Sequence, residues 1–320
     1  MKRSIALILF VTAACSPADQ EPADSPSLMQ AVDLKEQMIE VPDFADFLAV
    51  DGATVWATNR GRVEQWSTEG MLASVEIPRP CGTMAIFADS LWVANCEDAN
   101  LYRINLETGE VEAMIATGIA NPKGETNVVA GAGSIWVPSD AAGKVSRIDP
   151  ETNEVVATVD VAPQTFFLAY GLDALWAVSS DERSIQRIDP LTNKVTGETE
   201  LGKQPGFLAA GEGSVWVQEQ GDGTVARIDP DTVTVTGRTK VGDSLLYGDI
   251  DTGGGIVWLR TTDDQTFVAI DAATLEILAR PGAAAGSGAI RYTPDGIWTS
   301  AHDVHSISWW SSAGVEAEQE

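Results

Sequence analysis

The sequence predicts an all-β fold, a seven-bladed β-propeller with four antiparallel strands per blade, and three observations carry that prediction. Seven of the ten tryptophans recur at Trp56, Trp92, Trp136, Trp176, Trp216, Trp258 and Trp298, spaced 36 to 44 residues apart. Around each indole stand four short β-type runs separated by turn residues, and no helical periodicity interrupts them. The last unit lacks a fourth run, while an unpaired run stands at the other end of the chain. A repeat of about 40 residues holding four strands is the sequence form of a propeller blade.

Unit five shows the elements in order. Phe207, Leu208, Ala209 and Ala210 form strand A, and residues 211–214, Gly-Glu-Gly-Ser, turn the chain. Val215, Trp216 and Val217 form strand B. After a polar loop, residues 225–229 form strand C, Pro230 opens a turn, and residues 234–241 form strand D. Proline presets φ for such a turn, and Asn or Gly tolerates the left-handed position that closes it. Residues 149–153, Asp-Pro-Glu-Thr-Asn, and 105–109, Asn-Leu-Glu-Thr-Gly, repeat the device. An indole buries roughly 150–250 Å². At about 25 cal/mol per Å² that contributes about 4–6 kcal/mol as an upper bound, so the seven tryptophans are expected to wedge between neighbouring sheets. Arg103, Arg147, Arg187 and Arg227 lie two residues before Asn105, Asp149, Asp189 and Asp229, on one strand face. Surface pairing of each arginine with acid is the expectation there.

Ring closure follows from the ends. Unit seven starts at Ile290, passes Trp298 and stops on strand C at Trp309 and Trp310. Residues 37–42 resemble a strand D without a blade. They are expected to complete the last sheet, joining the chain ends and removing an open edge. The propeller then occupies residues 36–312 and leaves no room for a second domain.

The flanks read differently. Lys2 and Arg3 precede an apolar run at 5–14, too short to span a bilayer and suited to a signal peptide. Thr12, Ala13 and Ala14 before Cys15 resemble the lipobox of bacterial lipoproteins. Residues 1–15 are therefore expected to be a leader ending at a lipidated Cys15, with soluble periplasmic or secreted export as the alternative. Residues 16–35, rich in Pro, Asp, Glu and Ser, read as a flexible tether, and 313–320 as a disordered acidic tail. Ser16 lacks the aspartate often tied to inner-membrane retention. The expected place is the outer membrane, facing the periplasm, with membrane attachment through the lipid alone.

Charge and counting exclude several functions. With 47 acidic against 20 basic side chains the formal charge is -27, a field that repels phosphate backbones, so no nucleic-acid partner is expected. Two histidines and three cysteines cannot make a histidine-rich or four-thiolate metal centre. If Ile86 faces Leu91 across the blade-two hairpin, Cys81 faces Cys96, and an exported protein would join them in a disulfide. Cys15 is then the odd cysteine, which lipidation explains.

Residues 134–137 (Ser-Ile-Trp-Val), 144–150 (Lys-Val-Ser-Arg-Ile-Asp-Pro) and 155–159 (Val-Val-Ala-Thr-Val) resemble the YVTN-type and streptogramin (virginiamycin B) lyase-like propeller repeats of bacteria. The lyases open an antibiotic lactone by elimination with magnesium, histidines and glutamates. Their histidine slot, eleven residues before each tryptophan, holds Ala45, Cys81, Glu125, Thr165, Pro205, Tyr247 and Ser287 here. Their glutamate slot, three residues after, holds Asn59, Asn95, Ser139, Ser179, Glu219, Thr261 and Ala301, so only Glu219 matches. The resemblance therefore implies the fold without the lyase's acid–base set.

Function is expected on the face shared by the B–C and D–A loops, where the channel opens. Candidate ligand or partner residues are Asn59, Arg60, Asn95, Asp140, Ser179, Glu219, Thr261, His302 and Asp303. Glu97, Asp98, Asp181, Glu182, Asp222, Asp263 and Asp264 add an acidic rim. Glu219, His302 and His305 are the candidates for chemistry, and a divalent cation such as magnesium or calcium is the alternative to no cofactor. The reading is a cell-envelope binding module for an unknown small molecule or envelope protein. A divergent metal-dependent lyase or hydrolase and a structural scaffold are the alternatives.

Overall fold

The computed structural model describes residues 34–245, 248–261 and 266–312. The leader, Cys15, most of the tether, Tyr247, Asp263, Asp264 and the acidic tail lie outside the described residues. Seven four-stranded antiparallel sheets follow one another around an axis. In blade one, strands A to D are Leu48–Asp51, Thr54–Asn59, Arg62–Ser67 and Gly70–Glu76. Strand A of each blade lies innermost and strand D outermost.

The ring closes as the chain ends require. Leu34–Glu40 pairs antiparallel with Ser306–Ser312, from Leu34 opposite Ser312 to Glu40 opposite Ser306, and supplies the fourth strand of blade seven. This strand begins at Leu34, inside the stretch read as tether. Most of its side chains are exposed, so it carries none of the apolar alternation by which an inner strand is recognised.

Six of the tryptophans are at most 1% exposed, and Trp258 is 4% exposed. Five indoles also donate to the carbonyl five residues earlier, at the end of their own strand A. Trp92 reaches Phe87, Trp136 Gly131, Trp176 Gly171, Trp216 Gly211 and Trp258 Gly253, all at 3.0–3.2 Å. The indole thus packs the sheet interface and holds the A–B turn.

The strand-C arginines correct the surface-pairing expectation. Each stands directly opposite its blade's tryptophan. Arg103 and Arg147 lie 5.2 and 5.1 Å over the indoles of Trp92 and Trp136. Their Nη1 groups then cross to the next blade, donating to Pro150 O and Asn153 Oδ1, and to Pro190 O and Asn193 Oδ1. Arg227 reaches Ala273 O in the same way, whereas Arg187 stays within its blade on Thr196. Arg103 does meet an acid, Glu112 on strand D, at 3.2 Å. The acids two residues on are occupied otherwise: Asp149 and Asp229 accept the amides of Glu151 and Thr232 and so form the C–D turns.

Cys81 and Cys96 form a disulfide, with Cα atoms 5.9 Å apart. They are not directly opposite. Ile86 pairs with Leu91, but Pro80 pairs with Asn95, so the register slips by two residues along the hairpin and the cysteines bridge it diagonally.

Candidate functional site

The last residue of strand B marks the upper face in every blade. Four of the candidate face residues there are buried. Asn59 is 4% exposed, Asn95 0%, and Ser179 and Glu219 1% each. Each holds the chain entering its own blade. Asn59 Oδ1 accepts the amides of Phe44 and Arg60, and its Nδ2 donates to Pro42 O and Glu64. Asn95 Oδ1 accepts the Arg79 amide at 2.8 Å, and Ser179 Oγ donates to Pro163 O. Thr261 is also buried, with its carbonyl taken by Arg260. The reason is the pleat: three residues after the buried tryptophan, the side chain turns under the D–A loop, whose backbone donors need acceptors.

Glu219 is the charged version of this latch. It accepts the Gly202 amide (2.7 Å), the Thr224 hydroxyl (2.6 Å) and a two-point contact from Arg238 (2.8 and 2.9 Å). Burial pushes its carboxyl up, but Arg238, Thr224 and the Gly202 amide outweigh it and hold the pKa below the usual value. All these partners belong to blade five, so Glu219 and His302 do not form one catalytic pair.

The exposed candidates are Arg60, Asp140 and Asp303. Asp140 accepts the Ala142 amide and shapes its own loop. His302 stacks on Phe44, with ring centroids 3.9 Å apart, and Arg60 lies 5.2 Å over the same phenylalanine. His302 Nδ1 sits 2.8 Å from Asp303 Oδ1 without the alignment of a hydrogen bond. Burial is the main cause that lowers the His302 pKa, aided by Arg260 and Arg60 against Asp303. His305 turns away, its Nδ1 contacting Asp43 O. Among the described residues, no three His, Cys, Asp or Glu side chains gather closely enough to hold a metal ion.

A different set of charges lies at and beneath the channel mouth: Asp46 before strand A of blade one, Glu125 before blade three and Asp303 in blade seven, with Asp249 before blade six buried below them and paired with Arg291. Burial raises the Asp46 carboxyl well above its ordinary value, and Glu125, Asp249 and Asp303 raise it further against Arg260. Glu125 is exposed at its surface yet hemmed in by protein, and that crowding, with the charge of Asp249, pushes its pKa to about 7. The balancing cation is Arg260, 0% exposed, which donates to the carbonyls of Thr266, Gly286 and Ser300 across the blade six–seven seam. Burial lowers its pKa to about 10, opposed by Asp46, Asp303 and Asp249, so it stays charged at neutral pH.

Between blades one, two and three the mouth opens into a pocket of about 310 Å³. Phe44, Asp46, Arg60, Arg79 and Glu125 line it, and Cys81 of the disulfide is in its wall. Beneath, Phe47, Phe167 and Phe207 meet across the axis at centroid distances of 5.9 and 4.6 Å. Blades two and three are tied beside it: Thr83 and Asn127 form a parallel bridge between their inner strands. Gly82 permits this approach, because a Cβ there would lie 1.7 Å from Thr126 O.

Asp46, Asp249 and Arg260 were missed because they fall outside the slots compared above. Arg260 left a signal: two residues after the tryptophan the other units carry Thr58, Ala94, Pro138, Val178, Gln218 and Ser300, all uncharged.

Comparison with known proteins adds the fold. No family model and no curated protein matches this sequence. Among solved structures, virginiamycin B lyase from Staphylococcus aureus is similar at 16% identity and TM-score 0.73, covering 87% of this chain and 99% of the lyase. A streptogramin B lyase structure is similar at 16% identity and TM-score 0.74, over 87% and 97% of the two chains. The β-propeller domain of Myceliophteria thermophila Cps50 (Swd1) is similar at 12% identity and TM-score 0.68, over 86% and 99%. At such identities the likeness establishes a shared seven-bladed propeller and no shared chemistry.

Proposed function

We propose that this chain is a cell-envelope binding module that takes a small polar ligand at the channel mouth, in the pocket between blades one and three. One observation carries the reading: two carboxyls with raised pKa, Asp46 and Glu125, share a concave site with two guanidinium groups, Arg60 and Arg79. The guanidiniums suit an anionic group of the ligand and the carboxyls suit its hydroxyl or amino groups. The rigid ring supplies a preformed wall. In the same reading Cys15 carries the lipid and the propeller faces the periplasm from the outer membrane. A thermal-shift screen of amino acids, hydroxy acids and sugars tests the site. The expected hit is lost in Asp46→Asn and Glu125→Gln and kept in Asp140→Asn, whose side chain stands outside the pocket. A hit indifferent to both mouth variants would refute the reading. Incorporation of a palmitate analogue, abolished by Cys15→Ser, tests the anchor.

One observation favours a second reading. A carboxyl titrating near 7 is suited to general acid–base work, and two of the three solved neighbours named above are lyases. A divergent lyase here would have to use Glu125 and Asp46 in place of the unmatched histidine slots. Incubation with a streptogramin B antibiotic and magnesium separates the two readings: unchanged antibiotic is expected, and ring opening lost in Glu125→Gln would favour the lyase.

A further inference from the structure

The charged groups of the mouth pocket lack the partners that such groups have elsewhere in the ring. Asp46 is half-buried and Glu125 exposed, and both line the pocket. The Asp46 carbonyl accepts the Ser300 hydroxyl and the Glu125 carbonyl accepts Asn121 Nδ2, but among the described residues no donor reaches either carboxyl. The guanidiniums are equally unpaired. Arg60 lies over Phe44 and bonds nothing with its side chain, and Arg79 Nη1 donates to Pro122 O at 2.9 Å. Neither has a carboxylate partner among the described residues. Other blades pair these groups directly: Glu219 takes Arg238, and Glu64 takes Arg62.

Glu125, Asp249 and Asp303 act on Asp46 against Arg260, and Asp249 acts on Glu125. Lys123 is exposed on Glu125's own loop, outside the pocket wall. Beneath, Arg291 pairs with Asp249 from its place opposite Trp298, and Asp251 holds the matching place in blade six. His302 stands behind Phe44, its pKa lowered by burial toward the acid side. An ionised carboxylate only accepts hydrogen bonds, so the two carboxyls call for donors from the ligand. An ammonium group brings three donors and a charge, whereas a hydroxyl brings one donor and no charge.

We propose that the mouth ligand is a free amino acid or a similar zwitterion, an inference that rests on the mouth pocket being the binding site. The ammonium N–H groups meet Glu125 and Asp46, the carboxylate meets Arg60 and Arg79, and the side chain lies against Phe44, Phe47 and Pro78. The ammonium pairs with ionised Glu125, so a proton leaves that carboxyl for water as the ligand enters. With a midpoint at about 7, the ionised share rises about tenfold from pH 6 to pH 8, and affinity rises with it.

Calorimetric titration of the whole chain with three matched probes tests the inference: L-leucine, its hydroxy analogue 2-hydroxy-4-methylpentanoate, and isopentylamine, which lacks the carboxylate. At pH 8 leucine is expected to bind at least about tenfold tighter than either analogue. At pH 6 its affinity is expected to fall about tenfold, with proton release read from the buffer dependence of the heat. The Arg60 side chain bonds nothing in the fold, so Arg60→Gln is expected to weaken leucine and the hydroxy analogue about tenfold and to leave isopentylamine unchanged. Glu125→Gln is expected to abolish leucine binding, and Asp140→Asn to preserve it. Equal binding of leucine and the hydroxy analogue, both lost in Glu125→Gln, keeps the mouth site and overturns the zwitterion. Equal leucine affinity at pH 6 and pH 8, or no saturable leucine binding by the folded wild type, overturns it too. Leucine binding untouched by both Arg60→Gln and Glu125→Gln overturns the zwitterion and the mouth site together.

Discussion

Glu219 and Glu125 stand on the same face of the ring and meet opposite fates. Glu219 is enclosed by Arg238, Thr224 and the Gly202 amide, and its pKa lies below the ordinary value. Glu125 has crowding and the charge of Asp249 around it, and its pKa rises to about 7. The first is fastened within one blade; the second shares an opening with groups from three others. A carboxylate on a propeller face is therefore either fastened or left without a latch, according to whether its blade supplies donors.

The largest expected contrast is in stability. Glu219→Ala strips Arg238 and the Gly202 amide of their acceptor and is expected to cost about 3 kcal/mol in urea unfolding, as for a broken buried ion pair with one half-exposed partner. Glu125→Gln is expected to stay within about 0.5 kcal/mol at neutral pH. Equal losses in the two variants would erase the distinction.

The pH dependence should be opposite as well. A carboxyl whose folded pKa is raised contributes stability that is complete below its unfolded value and lost as pH climbs through the folded one. Glu125 is therefore expected to make stability fall between pH 5 and 8, with the slope reduced in Glu125→Gln, and Asp46 acts in the same direction. Glu219, with its pKa lowered, contributes above the unfolded value, and that contribution disappears only as pH drops below the ordinary carboxylate range. Melting temperatures of both variants across pH 3–8 check the two signs.

The smallest contrast sharpens the same idea among the tryptophans. Trp216 Nε1 donates to Gly211 O, whereas Trp56 Nε1 is buried without a partner. Trp216→Phe is expected to cost about 1 kcal/mol more than Trp56→Phe, the net worth of one hydrogen bond. Indistinguishable losses would mean that packing alone sets the cost.

The ring was legible because its signals are local and repeated. An indole about every 40 residues, an Asx turn after strand C of blades two to six and an orphan strand at residues 37–42 each have a physical cause within a few residues. The cysteine pair was legible for the same reason, although the register slip at Pro80 was not. The site was less legible. Asn59, Asn95, Ser179 and Glu219 occupy the positions where strands end at the face, but the pleat buries them, and which side a strand's last residue takes depends on the loop above. Asp46, Asp249 and Glu125 come together only when blades one, three and six close around one axis, a relation no spacing along the chain records. The charged interruptions Asp251, Arg260 and Arg291 were visible against the repeat once its register was known.

The protonation of Glu125 defines the state of the channel mouth. Carbon-13 NMR titration of the Glu125 side-chain carboxyl, assigned by comparison with Glu125→Gln, measures it directly. A midpoint near 7 that falls in Asp249→Asn is the predicted result. A midpoint in the ordinary range near 4.5, unmoved by that substitution, would contradict it.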